Sequence, residues 1–340
     1  MPLCKKNYDD FPCSPARIAD CQVKYELGNC MTPLPGCRRL IVLGLFLGQT
    51  TSGILLAGNP PAQSGAQANW PEEVVVTVGD IRTRIDGPKM WTMSGIDFQN
   101  TVMATEDSAY GTVLTIRGVG HLGTAHFLDV PGKPGEVEKE LVTSLNLFVD
   151  EKPVTDFTPE MNLSGTSFRM ERTSKIRAVS LQSSVSIRAG TLIETARLQA
   201  TAEMDLQTAF PLMYAWTPEA TDYLFGNDSG ILKRGSFLKE GPPAAGLVKD
   251  SRWMAVFNST SGKGSVAYLL KSPPDAQSAF FLVDAPGSYR KTALHSFGET
   301  IMPKGFDGTY QMAVGFFSAA QKDWQQQALS RLDDLKRAVE

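Results

Sequence analysis

The sequence lacks cysteine beyond position 37, since all five cysteines lie between Cys4 and Cys37. The rest of the chain therefore has no cysteine nucleophile, no thiolate metal ligand and no means of forming a disulfide. A protein without disulfides must rely on its apolar core, and a chain of this length can bury enough surface for that.

Long runs of one charge are also missing. The chain has 33 Lys and Arg against 36 Asp and Glu, with a formal net charge of −3, and no basic run is longer than a pair. This balance argues against a nucleic-acid or anionic-membrane surface. The apolar run Leu40–Leu47 is far shorter than the roughly 20 residues of a membrane span. We predict no nucleic-acid partner and no stable membrane insertion after cleavage of a signal peptide.

The N-terminal region has the layout of a secretion signal. Arg38 and Arg39 precede the apolar run Leu40–Leu47, and Ala66-Gln67-Ala68 is a small-residue cleavage site. We expect residues 31–68 to be a signal peptide and residues 1–30 to be an upstream extension from a misplaced start. The protein is then secreted or periplasmic, and residues 69–340 form a single domain.

The remainder of the chain has the alternation of β-strands. Val74–Val78 and Ile81–Ile85 flank Gly79-Asp80, a two-residue hairpin turn, and Val185–Arg188 begins a similar hairpin. Many short strands punctuated by Pro and Gly predict an all-β fold, a large antiparallel β-sandwich.

One helix is predicted, at the C-terminus. Apolar residues recur there at spacings of three and four, with polar residues between them. We predict an amphipathic helix over residues 320–338 that packs on a sheet through Trp324, Ala328, Leu332, Leu335 and Val339.

Three common kinds of site find little support. Gly118-x-Gly120-x-x-Gly123 resembles a dinucleotide-binding loop, but Pro131 and Pro134 follow where a helix must carry the phosphates. The nucleophile motif Gly-x-Ser-x-Gly does not occur. His121 and His126 would point to opposite sides of a regular strand, so a shared metal would need a bulge. We predict no cofactor and no metal.

Aromatic and polar residues near the strand ends suggest a sugar site. Sugars pack their apolar faces on aromatic rings while polar groups bind the hydroxyls. Alternation places Tyr214 and Trp216 on one face, although such rings also commonly fill cores. The predicted ligand-binding residues are Trp91, Arg117, His121, His126, Tyr214, Trp216 and Arg252.

If the protein is an enzyme, its chemistry is acid–base catalysis by histidine, tyrosine and carboxylates. The candidate catalytic residues are His121, His126, Glu194 and Glu219. Spacing along the chain does not select a pair among them, and whether the protein is an enzyme stays open.

The segments Gly118–His126, Leu145–Asp150 and Leu212–Trp216 resemble those of the galactose mutarotase-like β-supersandwich group. That group includes aldose epimerases and the sandwich domains of several polysaccharide lyases and glycoside hydrolases. The resemblance implies a supersandwich and a carbohydrate ligand. In aldose epimerases a histidine acid and a glutamate base open the sugar ring; His121 or His126 would supply the acid, and Glu194 or Glu219 the base.

The sequence therefore predicts an exported carbohydrate-binding protein with an aromatic-lined cleft, with a role in polysaccharide utilisation. Two alternatives remain open. The first is a carbohydrate-active enzyme (an epimerase, lyase or glycosidase) that uses a histidine and a carboxylate. The second is a non-catalytic structural protein of the cell envelope.

Overall fold

The structure is a computed structural model that describes residues 70–105, 111–123 and 139–338. The predicted signal peptide and His126 lie outside the described residues. Among the described residues, no helix is both long enough and apolar enough to cross a membrane.

Sheet I has nine strands and contains the hairpin predicted at Gly79-Asp80, in which β1 (Glu73–Val78) pairs with β2 (Ile81–Asp86) and Val78 lies opposite Ile81. Neighbours are antiparallel except β1 and β9 (Glu160–Gly165), which are parallel. In order across the sheet, the strands are β17 (Ala244–Val248), β20 (Ala279–Ala285), β21 (Tyr289–His295), β14 (Met213–Trp216), β4 (Thr101–Ala104), β3 (Thr92–Phe98), β2 (Ile81–Asp86), β1 (Glu73–Val78) and β9 (Glu160–Gly165).

Sheet II has ten strands, all paired antiparallel. Ala189 and Gly190 have φ of 48° and 72° in the turn after Arg188, as a type I′ hairpin requires. In order across the sheet, the strands are β16 (Gly230–Ser236), β15 (Asp222–Asn227), β18 (Trp253–Asn258), β19 (Lys263–Lys271), β23 (Asp307–Ser318), β12 (Thr191–Ala200), β11 (Val179–Arg188), β10 (Ser167–Ile176), β7 (Leu141–Val149) and β8 (Lys152–Pro153).

Smaller elements complete the described fold. Short 3-10 helices occupy Gly87–Lys89 and Pro274–Ala276. Sheet III has four strands, in the order β22 (Thr300–Met302), β13 (Met204–Phe210), β5 (Val113–Ile116) and β6 (Gly120–Gly123).

The core lies between sheets I and II and follows from alternation along the strands. In β11, Val179, Leu181 and Ile187 are fully buried, whereas Gln182, between them in sequence, is exposed. One continuous cluster of buried apolar side chains includes residues of all three sheets. The predicted all-β sandwich is confirmed.

Helix α1 (Trp324–Arg337) is the C-terminal helix that the sequence predicts, although it begins four residues later than the predicted position 320. It packs on the outer face of sheet II, which is the face that points away from sheet I. Trp324 stacks on Phe257 of β18 with 5.3 Å between ring centroids. The buried residues of α1 are those that the periodicity selects, namely Trp324, Ala328, Leu332 and Leu335. Val339 lies outside the described residues.

Candidate functional site

A polar groove crosses the part of the outer face of sheet II formed by β7, β10, β11, β12 and the start of β23. Its volume is about 360 Å³, within the range of about 300–1,000 Å³ typical of ligand sites. It is lined by Ser144, Asn146, Glu171, Arg172, Thr173, Gln182, Ser183, Ser184, Thr195, Arg197 and Thr309.

Strand register arranges most of the lining into two rows that run across the strands. Residues opposite one another on antiparallel strands lie side by side on the same face. The first row is Asn146, Glu171, Ser184 and Thr195, and the second row is Ser144, Thr173, Gln182, Arg197 and Thr309.

The charged side chains of the groove have partners. Arg197 makes a bidentate pair with Asp307, with distances of 2.8 and 2.6 Å from its Nε and Nη2 to the carboxylate oxygens. Hydrogen bonds from Arg197 lower the pKa of Asp307. Glu171 accepts a hydrogen bond from Arg169, whose guanidinium lies 3.9 Å from the centre of the Phe148 ring. The groove therefore combines neutral hydrogen-bonding groups with charges that are already balanced.

Under the groove, the inner face of sheet II carries a buried polar cluster around Arg172. The side chain of Arg172 is 4% exposed and pairs with the fully buried Glu140 carboxylate at 3.2 Å. Arg172 also donates to Ser183 Oγ at 3.0 Å and to the carbonyl of Met90. Ser174 donates to Glu140. Because Met90 lies between β2 and β3, the cluster links sheet II to a loop of sheet I.

A second polar link joins the sheets nearby. Tyr214 of sheet I donates from its hydroxyl to Glu194 Oε2 of sheet II at 2.8 Å. Burial raises the pKa of Glu194 to about 7, against the lowering effects of the Tyr214 hydrogen bond and the Arg172 charge. Burial, with the nearby Glu194 charge, also raises the pKa of Tyr214, so the phenol stays protonated. The pair is chemically able to hold and pass a proton near neutral pH.

The structure brings together three of the predicted site residues, Glu194, Tyr214 and Trp216. The rings of Tyr214 and Trp216 stack with centroids 5.1 Å apart, and Trp216 donates to Thr292 at 2.9 Å. Both aromatic residues are core residues, 1% and 0% exposed, so protein covers the ring faces that the sequence offers for a sugar.

Trp91 and Arg252 lie elsewhere in the sandwich, both half-buried. Trp91 donates from Nε1 to the Pro71 carbonyl at 2.8 Å and meets Trp70 edge-on, with centroids 5.0 Å apart. Its neighbour Met90 bonds Arg172, which connects this loop to the inner cluster. Arg252 donates to the Leu269 carbonyl at 3.0 Å, and neither residue lines the groove.

Arg117 and His121 belong to sheet III and the turn beside it. Arg117 is exposed and bridges Asp205 and Glu299, at 3.0 and 2.5 Å. His121 Nδ1 lies 2.9 Å from Thr115 Oγ1 on the neighbouring strand. Glu219 is exposed in the turn after β14 and accepts a hydrogen bond from Thr217. The hydrogen bonds described above for these side chains go to residues other than Glu194 and Tyr214.

Sequence reasoning missed the groove residues and the Arg172–Glu140 pair. The groove residues have a signal in the sequence, because polar residues occupy most of the alternate positions of β10, β11 and β12 that face outward. Such alternation also describes any solvated sheet face. Only its concave shape distinguishes this face from an ordinary solvent-exposed sheet face. Among the described residues, no group of three or more His, Cys, Asp or Glu is arranged to hold a metal ion.

Comparison with known proteins gives no sequence-level relative. No protein-family model matches the chain, and no curated protein sequence matches it. Solved structures do match by fold. A putative aldose 1-epimerase from Escherichia coli K12 is 8% identical with a TM-score of 0.41, covering 72% of this chain and 99% of that one. A galactose mutarotase-like protein from Clostridium acetobutylicum is 11% identical with a TM-score of 0.39, covering 71% and 94%.

The galactosidase domain of an alpha-galactosidase–sucrose kinase is 7% identical with a TM-score of 0.45 over 72% of this chain. This chain spans 40% of the length of that structure. Galactose mutarotase-like structures, the group that the sequence resembles, are therefore among the matches, at low TM-score and identity. At these identities the likeness concerns the fold alone.

Proposed function

We propose that the protein binds carbohydrate in the polar groove of sheet II. The observation that carries the proposal is the lining, in which every side chain on the outer face is a hydroxyl, amide, carboxylate or guanidinium. Sugar hydroxyls both donate and accept hydrogen bonds, and such a surface can satisfy them in both directions. This site differs from the aromatic-lined cleft that the sequence suggests, because binding here rests on hydrogen bonds instead of ring stacking.

A glycan array, followed by calorimetry on the glycans that bind, tests the proposal. Strand β11 provides matched variants, because Ser184 lines the groove whereas Ser186, two residues away on the same face, does not. We expect Gln182→Ala and Ser184→Ala each to weaken binding by about threefold to tenfold, since each removes one hydrogen bond. Ser186→Ala should bind as the wild type does.

Two outcomes contradict the proposal. If no glycan binds, and none raises the melting temperature, a non-catalytic structural protein becomes the better interpretation. If a glycan binds equally well to the Gln182→Ala, Ser184→Ala and Ser186→Ala variants, the sugar site lies away from the groove.

A second candidate function is a carbohydrate-active enzyme that uses the Glu194–Tyr214 pair, which lies on the inner face of sheet II and not in the groove. A carboxyl group with a pKa of about 7 can act as acid or base at neutral pH. An assay for epimerase, lyase and glycosidase turnover, with Glu194→Gln as the variant, tests this candidate. Loss of turnover with unchanged sugar affinity would support it, and full turnover in Glu194→Gln would exclude Glu194 as the catalytic group.

We further propose that the protein acts outside the cytoplasm. The support is the signal-like order of residues 31–68 and the absence of cysteine from the rest of the chain. Expression of the full chain, with cell fractionation and N-terminal sequencing of the product, tests this. A product that stays in the cytoplasm with its N-terminal region intact would contradict it.

A further inference from the structure

The groove is elongated across the strands. Its second row has one side chain on each of β7, β10, β11, β12 and β23, from Ser144 to Thr309. Neighbouring strands are ~4.8 Å apart, so the row extends ~19 Å, whereas the two rows are separated by only ~7 Å along each strand. A single sugar ring would fill a small part of this length.

The rows also repeat with a regular period. Every strand spacing presents a further hydroxyl, amide or charged side chain, such as Ser184 beside Thr195 in the first row. A linear chain of sugar rings laid across the strands would meet one set of hydrogen-bonding groups per strand. A chain laid along a strand would leave the groove after the two rows.

The charge of the groove selects against ionic ligands. Each charged side chain on the groove face has a partner of opposite sign: Arg197 with Asp307 and Glu171 with Arg169. The Arg172 side chain lies on the inner face and is paired with Glu140. An anionic sugar would have to compete with a carboxylate for a guanidinium, and a cationic one with a guanidinium for Glu171. Neutral hydroxyls can instead use the hydrogen-bonding capacity that the ion pairs leave.

We infer that the groove takes an uncharged, linear oligosaccharide that lies across the strands from β7 to β23. This inference rests on the proposed function and adds the length, charge and direction of the ligand. Two side chains mark the ends of the path, Ser144 on β7 and Thr309 on β23.

Calorimetry with maltooligosaccharides and cello-oligosaccharides of one to six units tests the length. We expect affinity in at least one series to rise about tenfold or more between one and four units. It should level off near five units, because the row presents one side chain on each of five strands. Oligogalacturonates of the same lengths test the charge, and we expect them to bind at least about tenfold more weakly.

The variants Ser144→Ala and Thr309→Val test whether the oligosaccharide lies across the strands from β7 to β23. Each should weaken binding of the longest oligosaccharide by about threefold or more, because each removes a terminal hydrogen bond. Ser186→Ala, on the same face outside the groove, serves as the control. Equal affinity for one and five units, tighter binding of the uronate, or no effect of either end variant would overturn the inference. Absence of binding by every sugar, charged or neutral, would instead overturn the proposed function itself.

Discussion

The two faces of β10, β11 and β12 carry polar residues in opposite physical situations. On the inner face, Arg172 is buried and Glu194 is half-buried, and both are bonded to other protein groups. On the outer face, their sequence neighbours Thr173 and Thr195 line the groove. A buried polar group costs stability unless it is hydrogen-bonded, so the inner set must be self-satisfied. The outer set is under no such constraint and is available to a ligand.

The inner-face polar residues therefore support the fold, whereas the outer-face polar residues are the ones that can recognise a ligand. Hydrogen bonds on the inner face join the two sheets. Tyr214 donates to Glu194, and Arg172 donates to the Met90 carbonyl. They hold in place the strands whose outer residues form the groove. We therefore expect inner-face substitutions to change stability and outer-face substitutions to change binding.

The largest expected effect follows from Arg172→Ala. It removes the guanidinium that neutralises the buried Glu140 carboxylate, and breaking a buried ion pair from one side costs about 3–5 kcal/mol. Urea denaturation measures the loss. The control is Arg197→Ala, which removes an exposed guanidinium from the outer face of the same sheet and should leave the denaturation midpoint almost unchanged. The double variant Arg172→Met, Glu140→Gln should recover part of the loss. If Arg172→Ala and Arg197→Ala lower the stability equally, the contrast between the inner and outer faces is wrong.

The second effect is a pH dependence of stability centred on Glu194. Its folded pKa is about 7 against an ordinary value of 4.5, so the folded state binds the proton more tightly than the unfolded state. Stability from this group is fully present below its unfolded pKa and is lost as pH rises through the folded pKa. The loss is about 3 kcal/mol between these two values.

Comparison with Glu194→Gln isolates this dependence, because the amide does not titrate. The free energy of unfolding of the wild type, relative to that of the variant, should fall as pH rises from 4.5 to 7 and become constant above that range. Parallel pH profiles for the two proteins would show that Glu194 does not titrate with a raised pKa.

The smallest effect on stability is expected from Thr195→Val, next to Glu194 but on the groove side. Valine keeps the β-branched shape that suits a strand and removes only the hydroxyl, which accepts a hydrogen bond from Gln311 at 3.2 Å. We expect the free energy of unfolding to change by less than about 0.5 kcal/mol. Oligosaccharide affinity should fall by about threefold to tenfold. A large loss of stability with unchanged affinity would show that the outer face is structural as well.

Much of the fold was predictable because its determinants are local. The β1–β2 hairpin follows from Gly79-Asp80 between two β-branched runs, and α1 follows from four apolar residues at helical spacing. The alternation of β11 identifies which of its residues enter the core. These signals act within a few residues, and the chain carries them independently of its partners.

The site was less predictable because it depends on residues far apart in sequence. The sequence offers Tyr214 as a ligand-binding candidate and Glu194 as a catalytic candidate, yet their hydrogen bond joins strands of different sheets. Trp216 has the sequence pattern of a sugar platform, and only packing shows that its ring is enclosed. Arg172 and Glu140 gave no sequence signal, since their pairing brings the beginning of β7 beside β10.

The sequence by itself determined the strands, their alternation, the hairpin turns and the C-terminal helix, because backbone preferences and hydrophobic period are properties of neighbouring residues. The tertiary structure alone decided which polar residues became buried links and which became a groove. Thr195 and Glu194 differ by one position along β12, and the face on which sheet I packs gives them different roles. That choice depends on the registers of the strands of sheet II and on the packing of sheet I against one of its faces, both of which involve long-range contacts.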